Sequence, residues 1–511
     1  MAASRPSSGS ALGGPSIACS NCSLLEPSRD PPVGLISIDG FLLVFAGLLV
    51  AVTLIPAVRA RAAIFVTPAR VVSPSWDDSI PMSDFALCVP TDGVNLLSLE
   101  SCLMTWRSAK LRRALKRPRA DSEGGLFDAK QPDDFYYNHL KKGIFESRTL
   151  IKDLINAEDV DEVSIVDNAT TAVAIVLQQI CWEFVEGRFQ RGDAVVMLHY
   201  AFGSVKKSIQ AYISRAGACV IEVYLPFPVS SNEEIIVEFR KALEKGKSNG
   251  KKVRLAVIDH ITSMPSVIIP VKELVKICRE EGVDQVLVDA AHSIGSVEVD
   301  VKDIGADFYT SNLHKWFFCP PSVALLYCRK SSTSSHVHHP VVSHEFGNGL
   351  AIESASIGTR DYSSHLVVPS VLDFINRFEG GIEGIRKRNH DAVVQMGEML
   401  AKAWGTHLGS PPDMCPSMVM VGLPASLGIS SEEGAVKLRA HLRDSFGIEV
   451  PIYFQAPKEG DTGTRDKNDC ITGYARISHQ IYNREDDYYK FRDAINKLVR
   501  SGFSCKMLLP N

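Results

Sequence analysis

The residue with the clearest potential for covalent chemistry is a lysine in an apolar setting, Lys315. It lies in residues 310–316 (TSNLHKW), among hydroxyl, amide, imidazole and indole groups, and Phe317 and Phe318 follow it. A lysine held away from water and near other cations loses its proton more easily, and the neutral amine can attack a carbonyl carbon. We therefore predict that Lys315 is a Schiff-base lysine and not a surface charge.

A second candidate follows a short apolar run, QVLV, which ends in Asp289, two alanines and His292. In open parallel sheets, ligands bind beyond the carboxyl ends of the strands. A carboxylate at that edge can hold a cationic ring nitrogen, and a nearby histidine can donate to an oxygen. Taken alone, an aspartate at the end of a strand is more often a helix cap or half of an ion pair.

A third candidate is residues 166–172 (VDNATTA), which lead directly into the apolar helical pattern VAIVLQQICWEF. Backbone N–H groups and hydroxyls at a helix N-terminus bind phosphate, although a threonine-rich helix start is usually only a cap. With Asp289 and Lys315, this segment completes the contacts that pyridoxal phosphate (PLP) needs at its phosphate, ring nitrogen and aldehyde. The residues therefore predict PLP as the cofactor.

We predict no metal site. The closely spaced histidines His336, His338 and His339 are more typical of a surface loop.

The elements that position these residues follow an alternation of short apolar strands and amphipathic helices from about residue 134, which predicts an α/β fold with a mainly parallel sheet. The pattern changes after Gly358, where longer helices lead into a smaller α/β unit. We predict a divergent N-terminal region at 1–130, a large PLP-binding domain at 131–365 and a small C-terminal domain at 366–511.

Composition narrows the possible partners. The 511 residues include 55 Lys and Arg against 59 Asp and Glu, so the net charge of −4 argues against nucleic acid as a partner. Small polar metabolites are the expected partners. The 12 cysteines are mostly scattered singly, which favours a reducing compartment over a disulfide framework.

The N-terminal region opens with a stretch rich in Ser, Pro and Gly, which is typical of a disordered tail or a transit peptide. Residues 40–58 form an uncharged apolar run; as a helix it would be roughly 28 Å long, close to the thickness of a bilayer core. Membrane contact is expected only through this run. We predict a cytoplasmic protein, with the mitochondrion or the chloroplast as the alternative.

Six segments carry a resemblance to a known family: DEVSIVDNATTA, KKSIQAYISRAG, IDHITSMP, VDAAHSIGSVEVDV, SNLHKWFFCPPS and IGTRDYSS. Through them the chain resembles the class V aminotransferase branch of fold-type I PLP enzymes, and within it most of all the plant L-cysteine desulfhydrases. The resemblance implies a large domain with a mainly parallel sheet of seven strands and a small C-terminal α/β domain.

The resemblance also implies roles for single residues. Lys315 matches the Schiff-base lysine, and Asp289 matches the partner of the pyridine nitrogen. His292 matches a residue that supports the ring oxygen or the phosphate, and His260 matches one that reaches the ring hydroxyl. Phe202 matches the residue that stacks on the ring, with Tyr200 as a rival.

Further positions match contacts to the phosphate and the substrate. The phosphate positions are Ala169, Thr170, Asn312 and His314. Thr359 matches a phosphate contact donated by a second subunit, which implies a homodimer. Arg476 matches the arginine that grips the substrate carboxylate through two parallel hydrogen bonds.

The reaction depends on whether a cysteine accepts the substrate sulfur. Cysteine desulfurases need such a residue in a mobile loop; the matching position lies near Ala456, where there is none, and Cys470 is too close to Arg476 in this register. We therefore predict α,β-elimination of L-cysteine to hydrogen sulfide, pyruvate and ammonia. A class V aminotransferase or epimerase, and a cysteine desulfurase, are alternatives.

A catalytically inactive or membrane-tethered homologue is a further alternative. Relatives open their catalytic domain with a segment like N-N-G-S-F-G, and it has no match before residues 133–138.

Overall fold

The computed structural model describes residues 94–95, 132–248, 250–331, 336–456 and 470–508. The apolar run at 40–58, and all of the region 1–130 except residues 94–95, lie outside the described residues. Within the described residues, no helix has the length and apolar character needed to cross a bilayer.

The strands carry the central architecture. In chain order they are β1 (Val94–Asn95), β2 (Val163–Val166), β3 (Ala194–Leu198), β4 (Cys219–Val223), β5 (Val253–Asp259), β6 (Gln285–Asp289), β7 (Phe308–Asn312), β8 (Ala324–Cys328), β9 (Met418–Gly422), β10 (Ile448–Glu449), β11 (Ile452–Phe454) and β12 (Gly473–Ser478). Seven of them form one sheet in the order β2-β8-β7-β6-β5-β3-β4. Neighbouring strands from β4 to β7 run parallel, and β8 runs antiparallel to both β7 and β2. The mainly parallel seven-stranded sheet is confirmed.

Helices cover both faces of this sheet. The α-helices of four or more residues in the described part are α1 (Lys141–Leu154), α2 (Ala169–Val185), α3 (Gly203–Ser208), α4 (Asn232–Ser248), α5 (Val271–Glu280), α6 (Val301–Ile304), α7 (Leu313–Trp316), α8 (Leu350–Glu353), α9 (Val368–Ile375), α10 (Gly381–Trp404), α11 (Glu432–Phe446) and α12 (Glu485–Arg500). π-Helical turns at Phe135–Leu140 and Ile209–Ser214 precede α1 and follow α3. The helical segment 203–214 is therefore part α and part π, a difference in hydrogen bonding that apolar spacing does not resolve.

The strand β3 shows why the sheet is covered on both sides. Successive side chains on a strand point to opposite faces. Ala194, Val196 and Leu198 lie in one buried apolar cluster, whereas Val195 and Met197 lie in another. A parallel strand that is apolar at every position buries both of its faces under helices.

A second sheet lies toward the C-terminus, where β9 and β11 flank β12 and both pair with it in antiparallel register. Apolar side chains from each of its three strands form a cluster with residues of α10, α11 and α12. The strands and helices of the predicted C-terminal unit are thus present. The domain boundary at 365–366 stays a prediction.

The histidine segment differs from the predicted surface loop. His339 is buried, and its backbone N–H donates to a carboxylate oxygen of buried Glu353 at 2.9 Å. The other oxygen accepts from Nδ1 of His338 at 2.8 Å and from the backbone N–H of Gly347 at 3.0 Å. The carboxylate holds this part of the chain onto the body of the fold, so the prediction is wrong for His339.

One glycine sets the approach between the segment after β6 and the helix α7. Gly295 has φ of 87°, and a Cβ atom there would overlap the carbonyl oxygen of Trp316. Both a left-handed backbone and a missing side chain are therefore required.

We predict that Gly295→Ala lowers the free energy of unfolding by about 2 to 4 kcal/mol, because the left-handed backbone and the overlap both disfavour a side chain. Gly305→Ala is the matched control: its φ is 72°, but no atom lies within 4 Å of the added Cβ. The control should lose only about 1 kcal/mol. Urea unfolding measures both variants, and equal losses would contradict the close-packing argument.

Candidate active site

Lys315 and Asp289 meet because their strands are neighbours. Asp289 ends β6 and lies opposite Thr310 of β7, and the chain then turns through α7, which carries Lys315. The lysine side chain is buried, and its Nζ atom lies 3.0 Å from Nε2 of His292. The predicted burial of Lys315 is confirmed, and its charge acts on the buried carboxyl group of Asp289.

The carboxyl group of Asp289 is buried at the sheet edge, where it accepts a hydrogen bond from the backbone N–H of Ala291 at 3.1 Å. Burial raises the pKa of Asp289, and the nearby Lys315 opposes that rise. A buried carboxylate is costly unless a cation or hydrogen bonds stabilise it. The position therefore suits a group that brings its own positive charge, such as a pyridinium.

A second carboxyl group, which the sequence reasoning did not assign, lies beside the first. Asp259 ends β5 and is the direct neighbour of Asp289 in the parallel register. Burial, and then the charge of Asp289, raise the pKa of Asp259 well above its usual value. Within the described residues, the Oδ2 atom of Asp259 has no hydrogen-bond partner. The pair therefore favours one negative charge, on Asp289, over two.

His260 follows Asp259 and is fully enclosed. Its Nδ1 atom lies 2.9 Å from the hydroxyl of Tyr309 on β7. Burial lowers the pKa of His260 to about 4, so its ring is neutral at physiological pH. A neutral imidazole at this edge of the sheet can form a hydrogen bond with a hydroxyl group on the ring of a bound ligand, and it adds no charge to the site.

The start of α2 is organised by side-chain caps. The Oδ1 atom of Asn168 accepts from the backbone N–H of Thr171 at 2.9 Å, and the Oδ1 atom of Asn312 accepts from that of Ala169 at 2.9 Å. The Thr170 hydroxyl is exposed and lies 3.0 Å from the hydroxyl of Ser204. Thr170 and Ser204 thus form an accessible hydroxyl pair, while the N–H of Ala169 is bonded within the protein.

The other residues predicted to contact the phosphate or the ring differ in their exposure to solvent. Nδ1 of His314 lies 2.9 Å from the carbonyl oxygen of Val323, which orients its ring. Phe202 is 45% exposed and available to pack on a ligand, whereas Tyr200 is half-buried against His199. Thr359 is exposed on the surface.

Arg360, next to Thr359, forms an ion pair with Asp167. Asp167 directly precedes the cap of α2. The ion pair therefore ties the loop that carries Thr359 to the N-terminal end of this helix.

Arg476 belongs to the second sheet but reaches the loop that follows β5. It lies on β12 opposite Met420, and its Nη1 atom donates to the carbonyl oxygen and the hydroxyl of Ser263 at 2.6 and 2.9 Å. Its guanidinium carbon lies 5.9 Å from the ring centroid of Tyr453. Arg476 is thus held rigidly, with only 3% of its surface exposed.

Sequence reasoning missed several of these neighbours, which are Ser204, Asp259, Ser263, Tyr309 and Trp316. Of these, Asp259 had a usable signal, because it ends an apolar strand as Asp289 does. The others contact the site through packing that no local pattern encodes.

These residues fit PLP. A buried lysine, a buried carboxyl group suited to a cation and an accessible hydroxyl pair at a helix start lie at one edge of the sheet, at or after the carboxyl ends of β2, β3, β6 and β7. They match the aldehyde, the ring nitrogen and the phosphate of that cofactor.

Comparisons with known proteins agree with this assignment. Two Arabidopsis thaliana proteins are close relatives. One, named probable L-cysteine desulfhydrase, chloroplastic, is 67% identical over 74% of this chain and 79% of its own length. The other, named L-cysteine desulfhydrase, is 64% identical over 76% of this chain and 86% of its own length.

Solved structures share the fold. The cystine C-S lyase C-DES, in a complex with cysteine persulfide, matches with a TM-score of 0.56 and 17% identity, over 79% of this chain and 97% of that one. Another structure of C-DES holds glycine covalently linked to its PLP cofactor.

The model of the family described as aminotransferase class-V matches residues 136–424, which is more than half of the chain. The site residues Asp289, His292 and Lys315 lie inside the matched range. The chain belongs to the class-V aminotransferase family.

Proposed function

We propose that this chain is a PLP-dependent L-cysteine desulfhydrase, a carbon–sulfur lyase. L-Cysteine and water would become hydrogen sulfide, pyruvate and ammonia. The observation that carries the proposal is Lys315, buried beside His292 and Asp289, in a chain 64% and 67% identical to relatives named for this activity.

Each part of the cofactor has a proposed partner. Lys315 would hold the aldehyde carbon and Asp289 the ring nitrogen. His260 would reach the ring hydroxyl, and His292 would support the ring oxygen or the phosphate. Phe202 would pack on the ring. The proposed phosphate contacts are Ala169, Thr170, Asn312 and His314. When bound, PLP withdraws electrons from the Cα atom of an attached amino acid.

Lys315 moves the proton in this proposal. With PLP bound, the neutral amine of Lys315 would take the Cα proton of the substrate. The Cβ–Sγ bond then breaks, and the sulfur leaves with the bonding electron pair. A neutral amine in a buried site suits this task because it can act as base and then return the proton to the leaving sulfur.

Arg476 is the proposed anchor for the substrate carboxylate. A guanidinium presents donors in a fixed planar fork that matches a carboxylate. Ser263 and Tyr453 restrain this side chain in the described structure. The restraint limits the ordering cost of substrate binding.

Assembly and location are also proposals. A homodimer would bring the exposed Thr359 to the phosphate of the partner's site. The relative named chloroplastic supports the chloroplast alternative, while the cytoplasm stays a prediction from the sequence.

The direct test of the proposed function is Lys315→Ala in the full-length protein with added PLP. The variant should lose the visible absorption band of lysine-bound PLP and should release no sulfide from L-cysteine, because both depend on this amine. Lys387→Ala, at a side chain 76% exposed, is the matched control and should keep both. Sulfide release by Lys315→Ala would refute the assignment.

The two carboxyl groups predict opposite variant effects. Asp259 is proposed to be neutral, so Asp259→Asn should keep PLP binding and activity, whereas Asp289→Asn should lose at least about tenfold in rate, the equivalent of about 1.4 kcal/mol.

The free energy of unfolding should also depend on the protonation of Asp259. The pKa of Asp259 is raised in the folded state. The stability that its neutral form contributes is therefore fully present below the unfolded pKa of about 3.9 and is lost as pH rises through the folded pKa. Asp259→Asn should therefore gain stability relative to the wild type as pH rises. Denaturant unfolding from pH 3 to 8 measures this, and a constant difference would contradict it.

A persulfide-forming desulfurase is the alternative that a cysteine variant excludes. Cys470 is half-buried and directly follows residues 457–469, which lie outside the described part. We expect Cys470→Ser to keep full sulfide release, as should Cys219→Ser, its half-buried control. Loss of activity in Cys470→Ser alone, together with a protein persulfide in the wild type detected by mass spectrometry, would favour the desulfurase.

A further inference from the structure

His292 contacts two side chains through its two ring nitrogens. Its Nε2 atom lies 3.0 Å from Nζ of Lys315, and its Nδ1 atom lies 3.3 Å from the indole nitrogen of Trp316. An indole N–H can only donate, so Nδ1 of His292 accepts. A neutral imidazole that accepts at Nδ1 carries its proton at Nε2.

This tautomer has a consequence for the lysine. The proton on Nε2 points toward Nζ of Lys315, and an ammonium group has three donors and no acceptor. Only the neutral amine has a lone pair that can accept from Nε2. We propose that Trp316 is a positioning residue, which holds His292 in the Nε2–H tautomer and thereby favours the unprotonated form of Lys315.

Packing fixes the indole in this orientation. Trp316 is 1% exposed and lies in a small apolar cluster with Ile261, which follows β5, and Met418, which begins β9. Gly295 lets a third segment lie against the backbone of Trp316. Since these contacts come from three parts of the chain, the N–H of Trp316 is directed at His292 by the fold itself.

Other charges around the pair act separately. Asp289 attracts the ammonium form of Lys315 and so opposes the effect of Trp316. Asp259 adds little charge because burial raises its pKa, and Lys206 acts on Asp259 only weakly. His260 and Tyr309 are kept neutral by burial. A variant at Trp316 leaves all of these in place.

The test compares two Trp→Phe variants of the full-length protein, stripped of PLP and then given it back. Trp316→Phe removes the donor to His292. Trp404→Phe is the control, because the Trp404 indole nitrogen is also buried but, among the described residues, has no hydrogen-bond partner. The measurement is the rate of covalent PLP attachment as a function of pH, followed by absorbance.

The midpoint of the rate profile should rise by about 0.5 to 1 pH unit in Trp316→Phe, since one hydrogen bond changes the balance of protonation states by roughly this amount. The midpoint of Trp404→Phe should equal that of the wild type. An unchanged midpoint in Trp316→Phe would overturn the proposal.

A second measurement needs no variant at Trp316. ¹⁵N NMR of histidine-labelled wild-type protein, with His292→Gln to assign the signal, should show Nδ1 without a proton. A protonated Nδ1 would overturn the proposal even if Trp316→Phe does not fold. The inference rests on the proposed cofactor role of Lys315, but the NMR result does not: failure of PLP to attach to the wild type would count against the proposed function alone.

Discussion

The structure depends on the burial of a carboxyl group, Asp289, within reach of a buried lysine, Lys315. Neither group is stable as a lone charge in an apolar interior. Asp289 ends β6, and Lys315 follows the neighbouring strand β7, so each group partly balances the charge of the other. A ligand with a cationic ring and an aldehyde would give the carboxylate a cation and the amine a bonding partner. Two apolar side chains would be less costly to bury at these positions, so the pair is better explained by function than by stability.

The rest of the fold can be understood as support for this pair. The parallel strands β5, β6 and β7 place Asp259, Asp289 and the turn into α7 at one edge. Helices cover both faces of the sheet, and Gly295 allows the segment after β6 to lie against the backbone of Trp316. The second sheet contributes Arg476, whose restraint by Ser263 brings it to the loop after β5. In the proposed function, one sheet would offer cofactor contacts and the other a substrate anchor.

Much of this was predictable from the sequence, for identifiable reasons. The apolar runs that end in Asp289 or lead into Lys315 are local features of the sequence. An apolar strand that is buried on both faces can also be predicted from its sequence alone. Contacts made by packing are not. The Trp316–His292 hydrogen bond, the Asp259–Asp289 neighbourhood and the burial of His339 by Glu353 all join residues through strand order or loop closure. Local sequence patterns do not predict which hydroxyl or imidazole groups from distant segments will contact each other.

The reaction proposed for this site is the elimination of sulfide from L-cysteine. The most direct measurement is the product balance of the purified full-length protein with PLP: sulfide and pyruvate, each quantified per mole of L-cysteine consumed. We expect equal yields of the two. Alanine in place of pyruvate would contradict it, because alanine is what remains when sulfur is transferred and not eliminated.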